Sequence, residues 1–259
     1  MKPEKPLILV TNDDGILAPG IRALISVMET IGEVIVVAPD KPQSAMGHAI
    51  TINNTLFLDK ISKENDPIAE YSCSGTPVDC VKLAVNEILK RKPDLCVSGI
   101  NHGSNSSINV IYSGTMSAAV EAGIEGIQAI GFSLLDFDWN ADFEQIKSFV
   151  KKITLETLAN KLPPGVVLNV NFPKLKESEI KGIKVCRQAK AYYAQKFDKR
   201  QTPFGKDYYW LGGKFVNEDK GEDTDEWALE NGYISVVPVQ FDLTAHHSIQ
   251  QLNTWKLND

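Results

Sequence analysis

The residues Asn12, Asp13, Asp14 and Gly15 follow directly on the apolar run Leu7–Thr11. Two adjacent carboxylates repel each other, and in a partly buried crevice both stay ionised only at a cost unless a cation lies beside them. Asp-Gly is also a common turn pair, so this word alone suits a plain capped turn as well. Two further loops shift the balance. "APDKPQSAMGH" carries Asp40, Ser44, Gly47 and His48, and "NHGSN" sets Asn101, His102 and Asn105 around a glycine. Two carboxylates, a hydroxyl and a carboxamide oxygen make a hard, all-oxygen donor set. Such a set suits one divalent cation per subunit of the Mg²⁺, Mn²⁺ or Ca²⁺ type, whereas Zn²⁺ prefers His and Cys.

A seat for phosphate is suggested where "YSGTMSAAVEAGI" places Ser113, Gly114 and Thr115 at the start of a helix. Free N–H groups there favour an anion, although Ser or Thr at such a position is often only a cap. "SGTP" at Ser74–Pro77 repeats the design. Neither G-x-G-x-x-G nor a P-loop occurs, and no G-x-S-x-G elbow or phosphatase-type cysteine loop is present. His102 is placed to donate a proton to a leaving oxygen, but a lone loop histidine reads equally as structural.

The elements that must position these residues alternate between strand and helix. Leu7–Thr11 is predicted as a strand buried on both faces. Pro19 and Gly20 open a helix that Gly32 closes, and "EVIVVAP" is a second strand, completing a right-handed β-α-β unit. Helices are predicted over 77–92, 114–126 and 142–161, with strands at "DLCVSGI", "IQAIGFSLL" and "GVVLNVNFP". The implied fold class is α/β, a Rossmann-like, doubly wound, mostly parallel sheet in three layers. Ligands of such sheets bind outside the carboxyl ends of the strands, where the NDDG word lies. Residues 1–175 form the expected catalytic core. Residues 176–259 form a smaller C-terminal part, integrated with that core. It comprises an aromatic β-hairpin arm within 187–226, a strand at "YISVVPVQFDL" and a short helix over 247–255.

Composition narrows the function. The chain has 259 residues, 43% hydrophobic and 23% charged, with a formal net charge of -6. That charge argues against nucleic acid or an anionic membrane as partner. Four cysteines without a C-x-x-C pair suit reduced, buried thiols and a cytoplasmic setting. "MKPEKP" lacks the apolar run of a signal peptide, and nothing approaches the ~18 uncharged apolar residues of a membrane span.

The words "ILVTNDDGI", "VVAPDKPQSAMGHAIT", "SGTPVDCV", "DLCVSGINHGSN", "YSGTMSAAVEA" and "LNVNFP" occur in this order over roughly residues 7–173. This series resembles the SurE family of stationary-phase survival nucleotidases, and "VPVQFDLTAH" resembles its closing segment. The resemblance implies a metal-dependent phosphatase of nucleoside 5′-monophosphates, and also of 3′-monophosphates and short polyphosphate. It implies a cation held by Asp13, Asp14, Ser44 and Asn101. It also implies a homodimer or homotetramer that exchanges a C-terminal segment. His102 departs from it, since relatives often carry Arg or another residue there.

The expected function is therefore hydrolysis of a nucleoside monophosphate by a phosphomonoesterase of the 5′-nucleotidase type. Asp13 and Asp14 are the expected catalytic residues. Asn12, Gly15, Asn105, Ser113, Gly114 and Thr115 are the expected phosphate-binding ones. Two rivals stand beside it: a zinc-dependent hydrolase of another ester or amide, and a non-catalytic nucleotide-binding module.

Overall fold

The computed structural model describes residues 5–257, so Met1–Glu4 of the "MKPEKP" segment lie outside it. Strands β1 (Leu7–Thr11), β2 (Glu33–Pro39), β3 (Leu58–Lys60), β4 (Ala69–Cys73), β5 (Leu95–His102), β6 (Gln128–Leu134) and β7 (Val166–Phe172) belong to one sheet. β8 (Ile183–Val185) and β11 (Ile234–Gln240) complete it at nine strands, in the order β3-β4-β2-β1-β5-β6-β7-β11-β8. The run from β4 to β7 is parallel throughout, whereas β3 pairs antiparallel with β4 and β11 antiparallel with β7. This is the expected α/β architecture.

Helices α1 (Pro19–Met28) and α4 (Lys147–Asn160) cover one face, with Ile21, Leu24 and Val150 packed on Ile8, Val36 and Val97. Helices α2 (Pro77–Leu83) and α3 (Gly114–Ile124) cover the other, where Val81, Met116 and Ala119 meet Leu9, Val37 and Cys96. Every residue of β1 is buried, so the uninterrupted apolar run has a core on each side. α1 starts with Pro19 at its first turn, where the missing N–H costs nothing. Gly20 follows because a Cβ there would come within 2.0 Å of the Ile100 carbonyl oxygen. The helix is thereby drawn onto β5 close to the strand end that matters.

Several boundaries differ from the sequence expectation. The helix expected over 77–92 is α-helical only to Leu83 and continues as a π-turn over Ala84–Ile88. The one expected over 142–161 begins with a 3₁₀ turn at Phe143–Ile146. The sequence pattern does not mark strands β3, β4 and β8. β3 and β8 have three residues each and β4 is half polar, so pairing with a neighbour creates them rather than their own pattern.

The C-terminal residues divide in two. β11 and β8 extend the main sheet, while β9 (Ala191–Gln201) and β10 (Asp207–Asn217) form a separate, outward-reaching hairpin. A short helix α5 (Asp225–Glu230), which the sequence does not mark, begins at the end of the expected hairpin span, and α6 (His246–Leu252) is the last element. All four cysteines are free and buried. Among the described residues no helix is long and apolar enough to cross a membrane.

Candidate active site

From β1 the chain runs to β2 on one side, and it returns later to place β5 on the other. The carboxyl ends of β1 and β5 thus flank the point where strand order reverses, which is where open α/β sheets bind ligands. Asp13 and Asp14 lie just past β1, and Asn101 is the last residue but one of β5. β5 kinks there: its register against β6 shifts between Ser98 and Asn101. Gly99 adopts φ +122°, and a Cβ on it would meet the Phe132 carbonyl oxygen at 2.3 Å. The kink turns Asn101 toward the cleft.

A cavity of about 550 Å³ opens at this point, in the size range of small-molecule sites. Asp13, Asp14, Ser44, Asn101, Asn105 and Ser113 all line it, so six expected residues from four separate segments meet. Asn12, Gly15, Gly114 and Thr115 stand behind them as support. The Asn12 amide donates to the Gly15 carbonyl at 2.9 Å and closes the turn, with Gly15 at φ +98°. A Cβ on Gly114 would be 2.7 Å from that of Asp13, so only glycine lets α3 approach this close. Thr115 is fully buried, its hydroxyl donates to Asp13 Oδ1 at 2.5 Å, and its backbone N–H also serves that carboxyl. The hydroxyl and N–H of Thr115 are thus both engaged with Asp13. Asn105 is likewise braced: its Nδ2 donates to Ser133 Oγ at 2.9 Å and its N–H to Asn171 Oδ1 at 2.8 Å. Ser113 caps α3 by accepting from Met116 N at 3.0 Å.

Asp13 is the electrostatic centre. Burial first, and then the neighbouring charge of Asp14, push its carboxyl up to about 6 against the opposing help of Thr115. Asp14 is held by His102, whose Nδ1 lies 2.9 Å from Oδ2 and whose backbone N–H donates to the same oxygen at 3.2 Å. The His102 ring stacks on Trp139 and meets Phe143 edge-on. The hydrogen bond to Asp14 raises the His102 pKa in spite of burial. Asn101 donates its amide to the Gly103 carbonyl at 2.8 Å, which leaves its own oxygen free as an acceptor or ligand.

The SurE family model, described as "Survival protein SurE", matches residues 8–195. The chain belongs to the SurE family. It is 93% identical to the 5′-nucleotidase SurE of Flavobacterium johnsoniae over 258 residues, covering all of both chains. It is 72% identical to the protein of the same name from Christiangramia forsetii, again over the whole of both. The crystal structure of the SurE protein from Aquifex aeolicus superposes with a TM-score of 0.84 at 40% identity. That match covers 96% of this chain and 98% of that one.

Within this SurE chain the donor set fits a hard divalent ion. Asp13 bears a charge that its surroundings disfavour, and Asp14, the exposed Ser44 and the free Asn101 oxygen share its cavity. Among the described residues no three His, Cys, Asp or Glu side chains converge in a group that could hold a metal.

Three contributions escaped the sequence reading. Glu226 of α5 reaches the same cavity, as do Tyr193 and Phe215 of the hairpin. No local signal marks them, because they arrive from the far end of the chain. The third is Glu121 of α3, buried and paired with His48 at 2.7 Å and Lys82 at 2.5 Å. It ties the loop that carries Ser44 down to the helix layer. An acidic residue amid the alanines of "SAAVEAGI" was the available signal.

Proposed function

We propose that this chain is a divalent-cation-dependent phosphomonoesterase that hydrolyses nucleoside 5′-monophosphates, and secondarily 3′-monophosphates and short polyphosphate. The observation that carries the reading is the buried Asp13 carboxyl pressed against Asp14 at the switch point of the sheet, opening into a cavity of nucleotide size. The name 5′-nucleotidase borne by relatives of up to 93% identity agrees with it.

Asp13, Asp14, Ser44 and Asn101 would hold the ion. When bound, the ion supplies charge neutralisation at the phosphoryl oxygens and acidifies a water molecule. Thr115 and Gly114 fix Asp13, and His102 fixes Asp14 through Oδ2, so the reacting groups need no reorganisation. Asp14 Oδ1 stays free to accept the proton of the attacking water. Asn105 and Ser113 shape the wall against which the phosphate lies.

The exposed hairpin, with Tyr209 and Trp210 in solvent, and α6, followed by Trp255, support a homodimer or homotetramer with an exchanged C-terminal segment. Light scattering would read its size. Four free thiols are in keeping with a reducing, cytoplasmic setting.

The test is phosphate release from mononucleotides and polyphosphate with Mg²⁺, Mn²⁺ or Zn²⁺, and with EDTA. Metal-dependent release is expected. Nucleotide binding that EDTA leaves unchanged, with no phosphate released under any condition, would instead identify a binding module.

A further inference from the structure

We infer that Glu226 is a specificity-determining residue that accepts a hydrogen bond from a ribose hydroxyl of the bound nucleoside, with Tyr193 and Phe215 beside it as the wall for the base. This rests on the proposed nucleotide reading and places the far end of that substrate.

Glu226 is half-buried and lines the cavity that Asp13 and Asp14 also line. Burial raises its pKa, and the charges of Asp225 and Glu230 on its own helix add to that. A carboxylate outside the proposed cation ligand set would repel a phosphate placed against it. At the sugar end the same group is a strong acceptor for a hydroxyl.

Its placement is rigid. Asp225, fully buried, accepts from Ser107 N at 2.7 Å and Ala189 N at 2.9 Å, which pins the start of α5 to the cavity rim. Ser106 Oγ donates to Glu226 Oε1 at 2.5 Å, and Ser104 Oγ lies 2.5 Å behind Ser106 Oγ. Oε2 has no hydrogen-bond partner among the described residues, so one oxygen is oriented and the other is left to a ligand. Tyr193 and Phe215 meet edge-to-face at 5.4 Å between ring centres, presenting an apolar lip on the same cavity. Such lips accept a base by its flat face without regard to its identity.

The test compares adenosine with 2′,3′-dideoxyadenosine by calorimetry, and the matching 5′-monophosphates by kinetics. It uses the wild type, Glu226→Gln and Glu226→Ala. One charge-assisted hydrogen bond predicts that the wild type favours the ribose form about tenfold, expressed in Kd and KM. In both variants the preference should shrink to within about twofold. Gln keeps the shape and the Ser106 contact, so it guards against misfolding of the Ala variant. An unchanged preference in Glu226→Gln overturns the assignment, as does an equal loss for both sugars. If no mononucleotide is hydrolysed while the nucleoside preference appears in the wild type and vanishes in Glu226→Gln, the hydrolase reading falls and the sugar site stands.

Discussion

His102 approaches Asp14 twice, through Nδ1 at 2.9 Å and through its backbone N–H at 3.2 Å, both on Oδ2. The imidazole is clamped against Trp139 and Phe143, so it orients the carboxylate and does not swing. His102→Ala is expected to lower kcat by roughly tenfold, the worth of one hydrogen bond to a charged group. His102→Asn should recover part of that loss, because an amide N–H can replace Nδ1. Steady-state kinetics of the two variants decide it, and equal rates in wild type and Ala would show the contact to be idle.

Asp13 sets function against stability. Its carboxyl is raised to about 6, so the folded state favours the protonated form. That stabilisation is complete below the ordinary carboxylate pKa of ~4 and disappears as pH rises through about 6. At pH 7.5 without metal the charge costs the fold on the order of 2–3 kcal/mol. Asp13→Asn should therefore raise the melting temperature in EDTA at pH 7.5 while abolishing phosphate release. Mn²⁺ should raise the melting temperature of the wild type and leave that of the variant nearly unmoved.

The Ser44 loop is tethered by His48 to Glu121, which Lys82 also engages. Because His48 is over a third exposed, its removal should change global stability by less than about 1 kcal/mol. Its effect should fall on the loop. His48→Ala is expected to demand several-fold more Mn²⁺ for half-maximal activity, with kcat at saturating metal little altered. Metal titrations of activity measure this, and coincident curves would sink it.

Asp79 closes the capping box of α2. It accepts from Thr76 N at 2.9 Å, while Thr51 donates its N–H at 3.0 Å and its hydroxyl at 2.6 Å. Burial pushes this carboxyl up, but the bonds from Thr51 and Thr76 outweigh it and hold the pKa below its usual value. The resulting stability is present above the ordinary carboxylate pKa of ~4 and is lost as pH falls through the lower folded value. Asp79→Ala should cost about 2 kcal/mol at neutral pH, and the gap to wild type should narrow in acid. Denaturant unfolding at neutral and acidic pH tests both the size and the sign.

What the sequence determined by itself was whatever is encoded locally or in period. The apolar runs at Leu7–Thr11 and in "EVIVVAP" can be satisfied only by strands covered on both faces, and Pro19, Thr76 and Ser113 mark helix starts by their own chemistry. With adjacent acids at a strand end, that sufficed to find the cleft and the four expected ligand residues around it. Tertiary structure alone decided which donors face the ligand and which serve a neighbour. That the Thr115 hydroxyl serves Asp13, and that only glycine at 114 lets α3 come so close to it, is seen only once α3 is packed there. The short strands β3, β4 and β8 exist through pairing, and Glu226 enters the cavity from far beyond Asn101 in the chain. Long-range packing free energy leaves no periodic trace in the chain that carries it, so only the assembled fold reveals those partners.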